Sequence, residues 1–164
     1  MQIASAGWSC GGLEAYGQAQ DSRVSALGIF NSGQFNQGDT NRVVSPIKKP
    51  VFYFLGGPSD MAYPNVSRHI LAPAESACTE SNIFQGMRDY AAVSSGVPSW
   101  NGNLPVGHGA TYYEPNGGKF AKAAQLYFKW VLKGDKSAAD FFTGQGARND
   151  GWTVQSKSLD KVVS

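Results

Sequence analysis

Residues 51–55 read VFYFL, five apolar residues without a break between Pro50 and the turn Gly56-Gly57-Pro58. A run that short, rich in β-branched and aromatic side chains and bounded by proline and glycine, is expected to form a strand. It shows no polar alternation, so both of its faces must be buried, as in a parallel sheet covered by helices. Residues 24–30 (VSALGIF) form a second such run and stop at Asn31-Ser32-Gly33. Residues 3–7 read as a short buried strand leading into GWSCGG, and a weaker fourth strand is expected over 99–104. Helical stretches lie between and after these runs. In 13–19, Leu13, Tyr16 and Ala19 share one face. In 118–133, Phe120, Ala123, Ala124, Tyr127, Trp130 and Val131 make an apolar stripe that Gly134 ends. A last helical turn or two is expected over 137–142. The alternation predicts an α/β fold with about four parallel strands and flanking helices, in one domain over 1–164. In such sheets ligands and chemistry collect at the carboxyl ends of the strands.

The bulk composition removes several classes of function. The net charge is +2, and Lys48-Lys49 is the only adjacent basic pair, so no nucleic-acid partner is expected. No stretch of about 18 apolar residues is present, so no membrane span is expected. The opening residues lack the pattern of a signal peptide, and the sequence assigns no compartment. Two cysteines (Cys10, Cys78) and two histidines (His69, His108) without clustered carboxylates make no metal site. EPNGGKF lacks the spacing of a phosphate loop. No cofactor is expected.

Gly7, Ser9 and Gly11 spell G-x-S-x-G, the pattern of a turn that holds a nucleophilic serine between a strand and a helix. Ser9 stands in that context. The two glycines are expected to be required because strand and helix approach too closely there for side chains. A serine hydroxyl needs a base, and the base needs an acid to hold its tautomer. His108, in VGHGATY, follows the fourth expected strand, whereas His69 follows none. Asp60 follows the third strand within a few residues, while Asp21 and Asp39 are far from any strand end. The order Ser9, Asp60, His108 is that of the α/β-hydrolases. Trp8 and Trp100 are candidates for lining an acyl pocket, with a place in the core as the alternative.

The segments SCGGLEAY, GGPSDMAYPN, GNLPVGHGATYYEPNGGKF and KWVLKGDKSAADFFTG, with the tail GWTVQSKSLD, resemble a group of secreted bacterial and fungal α/β-hydrolases of the esterase type. The similarity covers nearly the whole chain and corresponds to the carboxyl-terminal half of that family. It implies a partial α/β-hydrolase fold, Ser9 as nucleophile, Asp60 as acid and His108 as base. It further implies the backbone N–H of Cys10 as an oxyanion donor and a small carboxylic ester as substrate. Two other readings fit the same letters: a truncated, catalytically silent remnant, and a binding module that keeps the cleft without the chemistry.

The resemblance also sets two expectations about departures from the family. The family's sheet has strands before the serine turn, so the serine strand is expected here as an exposed apolar edge through which the chain self-associates. Residues 66–85 (VSRHILAPAESACTESNIFQ) interrupt the resemblance, lack helical or strand period, and read as an irregular insertion, either a surface loop or a retained intron.

Overall fold

Five strands form one sheet in the order β1-β2-β3-β4-β5. They are β1 (Ile3–Trp8), β2 (Val24–Phe30), β3 (Val51–Leu55), β4 (Ser99–Asn103) and β5 (Thr153–Lys157). The first four are parallel, and β5 runs antiparallel to β4. The computed structural model describes residues 2–60 and 85–162. Six helices flank the sheet among those residues: α1 (Cys10–Gly17), α2 (Gln37–Asp39), α3 (Gln85–Ala92), α4 (Gly118–Lys133), α5 (Lys136–Thr143) and α6 (Gly146–Asn149). No helix among them is long and apolar enough to cross a membrane.

The period of two along β3 divides the core. Phe52 and Phe54 face α4 and α5, where they pack with Trp100, Phe120, Tyr127 and Phe142. Val51, Tyr53 and Leu55 face the opposite way, toward α1 and α3, with Leu27, Ile29, Tyr16 and Tyr90. All five β3 side chains are buried, as the unbroken apolar run requires. The apolar stripe of α4 supplies Phe120, Ala123, Tyr127, Trp130 and Val131 to the first of these layers. The Tyr127 hydroxyl is satisfied inside that layer by donating to the Leu27 carbonyl at 2.7 Å. Gly134 ends the helix at φ 67°, and the Asp135 carboxylate starts α5 by accepting from the N–H groups of Ser137 and Ala138.

Trp100 belongs to this core. It is fully buried, with its ring 5.2 Å from those of Phe54 and Phe142 and 5.9 Å from those of Phe52 and Trp152. Being inward-facing in a central strand, it packs against Phe142 of α5. Of its two readings, substrate-lining or core, its burial agrees with the core.

Among the described residues β1 stands at one edge of the sheet, as expected of the serine strand, and β5, which no apolar run announced, stands at the other. β1 is paired on one side only among the described residues, so it is half-exposed rather than buried, and Ile3 is 38% accessible. β5 carries no apolar run, because an edge strand open to water on one face has no need of one. Its sequence TVQSK gives no periodic signal, yet it pairs with β4 over its whole length. Lys157 anchors it by donating to the carbonyls of Tyr90, Ala91 and Val93 at the end of α3.

Of the irregular insertion expected over 66–85, only Gln85 is among the described residues, and it is buried at the start of α3. The rest of that segment, with His69 and Cys78, lies outside the described residues.

Candidate active site

The carboxyl ends of the four parallel strands each deliver one polar residue to the same place: Ser9 after β1, Asn31 after β2, Asp60 after β3 and His108 after β4. Register explains the convergence. Adjacent parallel strands pair Trp8 with Phe30, Phe30 with Phe54 and Leu55 with Asn103, so the chain leaves all four strands at nearly one level.

Ser9 occupies the joint between β1 and α1 with φ 56° and ψ −124°, backbone angles that a non-glycine residue adopts only under strain. Its N–H extends the sheet ladder to the Phe30 carbonyl at 2.9 Å, and its carbonyl accepts the first helical turn from Gly12 N–H at 2.9 Å. A Cβ on Gly7 would run into the Gly11 carbonyl and lie 2.8 Å from the Gly12 nitrogen. Gly11 itself faces open space, and it is Gly12 whose Cβ would strike the Ser32 side chain. The steric requirement expected at positions 7 and 11 therefore falls on 7 and 12.

Asp60 follows the single helical turn Gly57–Ser59, and its carboxylate is fully enclosed. Oδ2 accepts from Gly56 N–H and from Asn31 Nδ2, both at 2.7 Å, while Oδ1 lies 2.8 Å from His108 Nδ1. The loop bearing His108 is tied to the same glycine, since Val106 and Gly107 N–H both donate to the Gly56 carbonyl, at 3.0 and 2.8 Å. That close approach needs glycine at 56, where a Cβ would collide with the Gly107 carbonyl.

The second ring nitrogen, His108 Nε2, is 3.0 Å from Ser9 Oγ. An ionised carboxylate accepts only, so the proton on the Asp60 side sits on Nδ1 and leaves Nε2 free to accept from the serine hydroxyl. Ser9, His108 and Asp60 thus form one continuous hydrogen-bonded chain. The histidine side chain is 22% exposed, which opens it to a ligand while its acid partner stays dry.

Trp8 stands at the rim. Its indole N–H donates to the His108 carbonyl at 3.0 Å, and its ring lies 5.1 Å from the imidazole. It remains 46% exposed, so it flanks the serine on the solvent side. Cys10 opens α1 directly after Ser9, at the end of the helix where the dipole favours negative charge.

Two polar neighbours of this chain were missed in the residue patterns. Asn31 is 1% exposed and holds φ 46°, a left-handed conformation that asparagine tolerates better than most residues. Tyr112 OH donates to Asn31 Oδ1 at 3.1 Å. Burial, with the Asp60 charge adding to it, pushes the Tyr112 hydroxyl well above the usual tyrosine range. The rule that chemistry gathers at strand ends applies to β2 as well, and it would have pointed at Asn31. Comparison with models of protein families and with curated proteins returned no match to this chain.

Proposed function

We propose that the protein is a serine hydrolase that cleaves carboxylic esters through an acyl-enzyme. The observation that supports this most directly is the unbroken hydrogen-bonded chain from Ser9 Oγ through His108 to the enclosed Asp60, at 3.0 and 2.8 Å. In this reading Ser9 Oγ attacks the ester carbonyl carbon as His108 Nε2 takes the hydroxyl proton. Asp60 holds the Nδ1–H tautomer and stabilises the imidazolium. The tetrahedral oxyanion develops next to the N–H of Cys10, at the positive end of α1. His108 then gives its proton to the departing alcohol, leaving the acyl group on Ser9. Water repeats the sequence with His108 as base, releasing the carboxylic acid and restoring the serine.

The strained backbone at Ser9 fits this role. A non-glycine residue in such a conformation lifts its side chain clear of both strand and helix, which serves a nucleophile and nothing in the core. The test is covalent labelling of the full chain with a fluorophosphonate, followed by hydrolysis of p-nitrophenyl acetate. The expected result is one labelled residue, Ser9, and turnover that Ser9→Ala abolishes. A chain that is folded yet neither labelled nor active, or one whose activity survives Ser9→Ala, would refute the reading.

A further inference from the structure

We infer that Asn31 is a positioning residue for the proposed hydrolysis, holding the acid Asp60 in the one orientation that serves His108, and that Tyr112 fixes the Asn31 amide in turn. The inference rests on the serine hydrolase reading of the site, but the geometry behind it is separate. Asp60 has two oxygens with different duties. Oδ1 faces His108, and Oδ2 is held by Gly56 N–H and Asn31 Nδ2, each at 2.7 Å. A carboxylate gripped at Oδ2 from two directions cannot rotate about its Cβ–Cγ bond without breaking a charge-assisted hydrogen bond in a dry site.

The amide orientation of Asn31 follows from its own partners. On one side stand acceptors only, the Asp60 carboxylate and, at 3.4 Å, the Gly107 carbonyl. On the other side the Tyr112 hydroxyl donates to Oδ1 at 3.1 Å. Turning the amide over would face oxygen with oxygen at Asp60 and lose both hydrogen bonds to its NH2 group. Asn31 is itself pinned by its N–H, which donates to the Phe54 carbonyl at 2.8 Å and continues the sheet ladder one residue past β2. The result is a relay of positions running from Tyr112 through Asn31 and Asp60 to His108 and Ser9. The side-chain hydrogen bonds of the two outermost members run to each other, to Asp60 and to the Gly107 carbonyl.

The left-handed backbone at Asn31 supplies a clean variant. Glycine adopts φ 46° without penalty, so Asn31→Gly removes the amide while leaving the turn after β2 intact. Tyr112→Phe removes only the hydroxyl. Two readouts are taken on the full chain. The first is steady-state hydrolysis of p-nitrophenyl acetate. The expected result for Asn31→Gly is a kcat lowered about tenfold to a hundredfold with KM changed less than about threefold, because the base loses alignment while the acyl site is untouched. Tyr112→Phe should lower kcat by a smaller factor in the same direction. The second readout needs no activity. The proton shared by His108 Nδ1 and Asp60 should give a downfield NMR resonance that is sharp in the parent chain and broadened by faster exchange in Asn31→Gly.

If the folded parent chain is neither labelled by the fluorophosphonate nor active, the hydrolase reading fails and the resonance alone decides whether Asn31 orders Asp60. An Asn31→Gly variant with kcat within twofold of the parent and an unchanged resonance would overturn the inference. So would a loss carried wholly by KM, or one matched by an equal loss of folded protein in circular dichroism.

Discussion

The serine turn makes a prediction that separates the letters of its pattern from its physics. G-x-S-x-G treats the two glycines alike, whereas the structure does not. Gly7→Ala places a methyl group against the Gly11 carbonyl and 2.8 Å from the Gly12 nitrogen, where ordinary contact begins near 3.4 Å. Both obstacles are backbone, so no side chain can swing aside, and relieving the contact with the Gly11 carbonyl needs the start of α1 to retreat by more than about 1 Å in a tightly packed interior. Overpacking of this kind costs about 1–3 kcal/mol. For a chain of this length that lowers Tm by about 2–12 °C, short of unfolding a domain with a typical 5–15 kcal/mol. Function should suffer more than stability. Ser9 and the Cys10 N–H ride on the displaced segment, and a misplacement of about 1 Å costs about a hundredfold in rate.

Gly11→Ala is the control within the same pattern. Its Cβ would meet nothing within 4 Å, and the residue lies in the helix. Replacing glycine by alanine there should stabilise by about 0.5–1 kcal/mol and raise Tm by about 1–4 °C. The assays are thermal unfolding and the second-order rate of fluorophosphonate labelling, taken on both variants. Labelling should fall steeply in Gly7→Ala and stay near the parent rate in Gly11→Ala. Equal losses in the two variants would refute the steric argument, as would a Gly7→Ala chain that melts and labels like the parent.

Two further variants probe the support of the site. Trp100→Ala should cost about 3–5 kcal/mol in denaturant unfolding, because it opens a cavity between Phe52, Phe54, Phe142 and Trp152; a variant of parental stability with an altered KM would return Trp100 to the substrate pocket. Asp89, buried on α3, accepts from Tyr16 OH, Gln34 N–H and Thr40 OH, yet burial pushes its carboxyl above the ordinary value. A folded-state value raised above the unfolded one means the folded chain holds the proton longer, so this group's contribution is greatest below the unfolded value and is lost as pH rises through the folded value. Asp89→Asn should remove that slope from stability measured between pH 3 and 8 (about the range over which carboxyls titrate), and an unchanged slope would show that Asp89 does not carry it.

The sheet was legible wherever a strand is buried on both faces. VFYFL has no polar position and VSALGIF has only Ser25, because β3 and the greater part of β2 meet no water, and their limits could be read within a residue. The stripe of α4 was equally plain, since one face packs on the sheet and the other carries Lys119, Lys122, Lys129 and Lys133. The edge strand β5 was not legible. β5 spends its residues on water and backbone pairing, and TVQSK leaves no pattern to find. Trp100 shows the converse limit: an indole in a strand whose other residues are Ser, Asn and Gly gives no clue whether it faces a pocket or the core. Burial decides it, and burial comes from α5, which the residue pattern at β4 does not encode.

The site was legible for a different reason. Ser9, Asp60 and His108 lie 51 and 48 residues apart, so no local spacing connects them. What connects them is that parallel strands in register release the chain at one level, which turns the position after a strand into a coordinate in space. Three strands were used in that way and the fourth was passed over, because Asn31-Ser32-Gly33 was read as the punctuation that stops β2. Glycine and asparagine do end strands, and at Asn31 the same left-handed backbone that ends the strand also aims the amide at Asp60. A turn residue with a polar side chain at a strand's carboxyl end therefore carries two meanings. Only the partner across the sheet, here a carboxylate 2.7 Å away, distinguishes them.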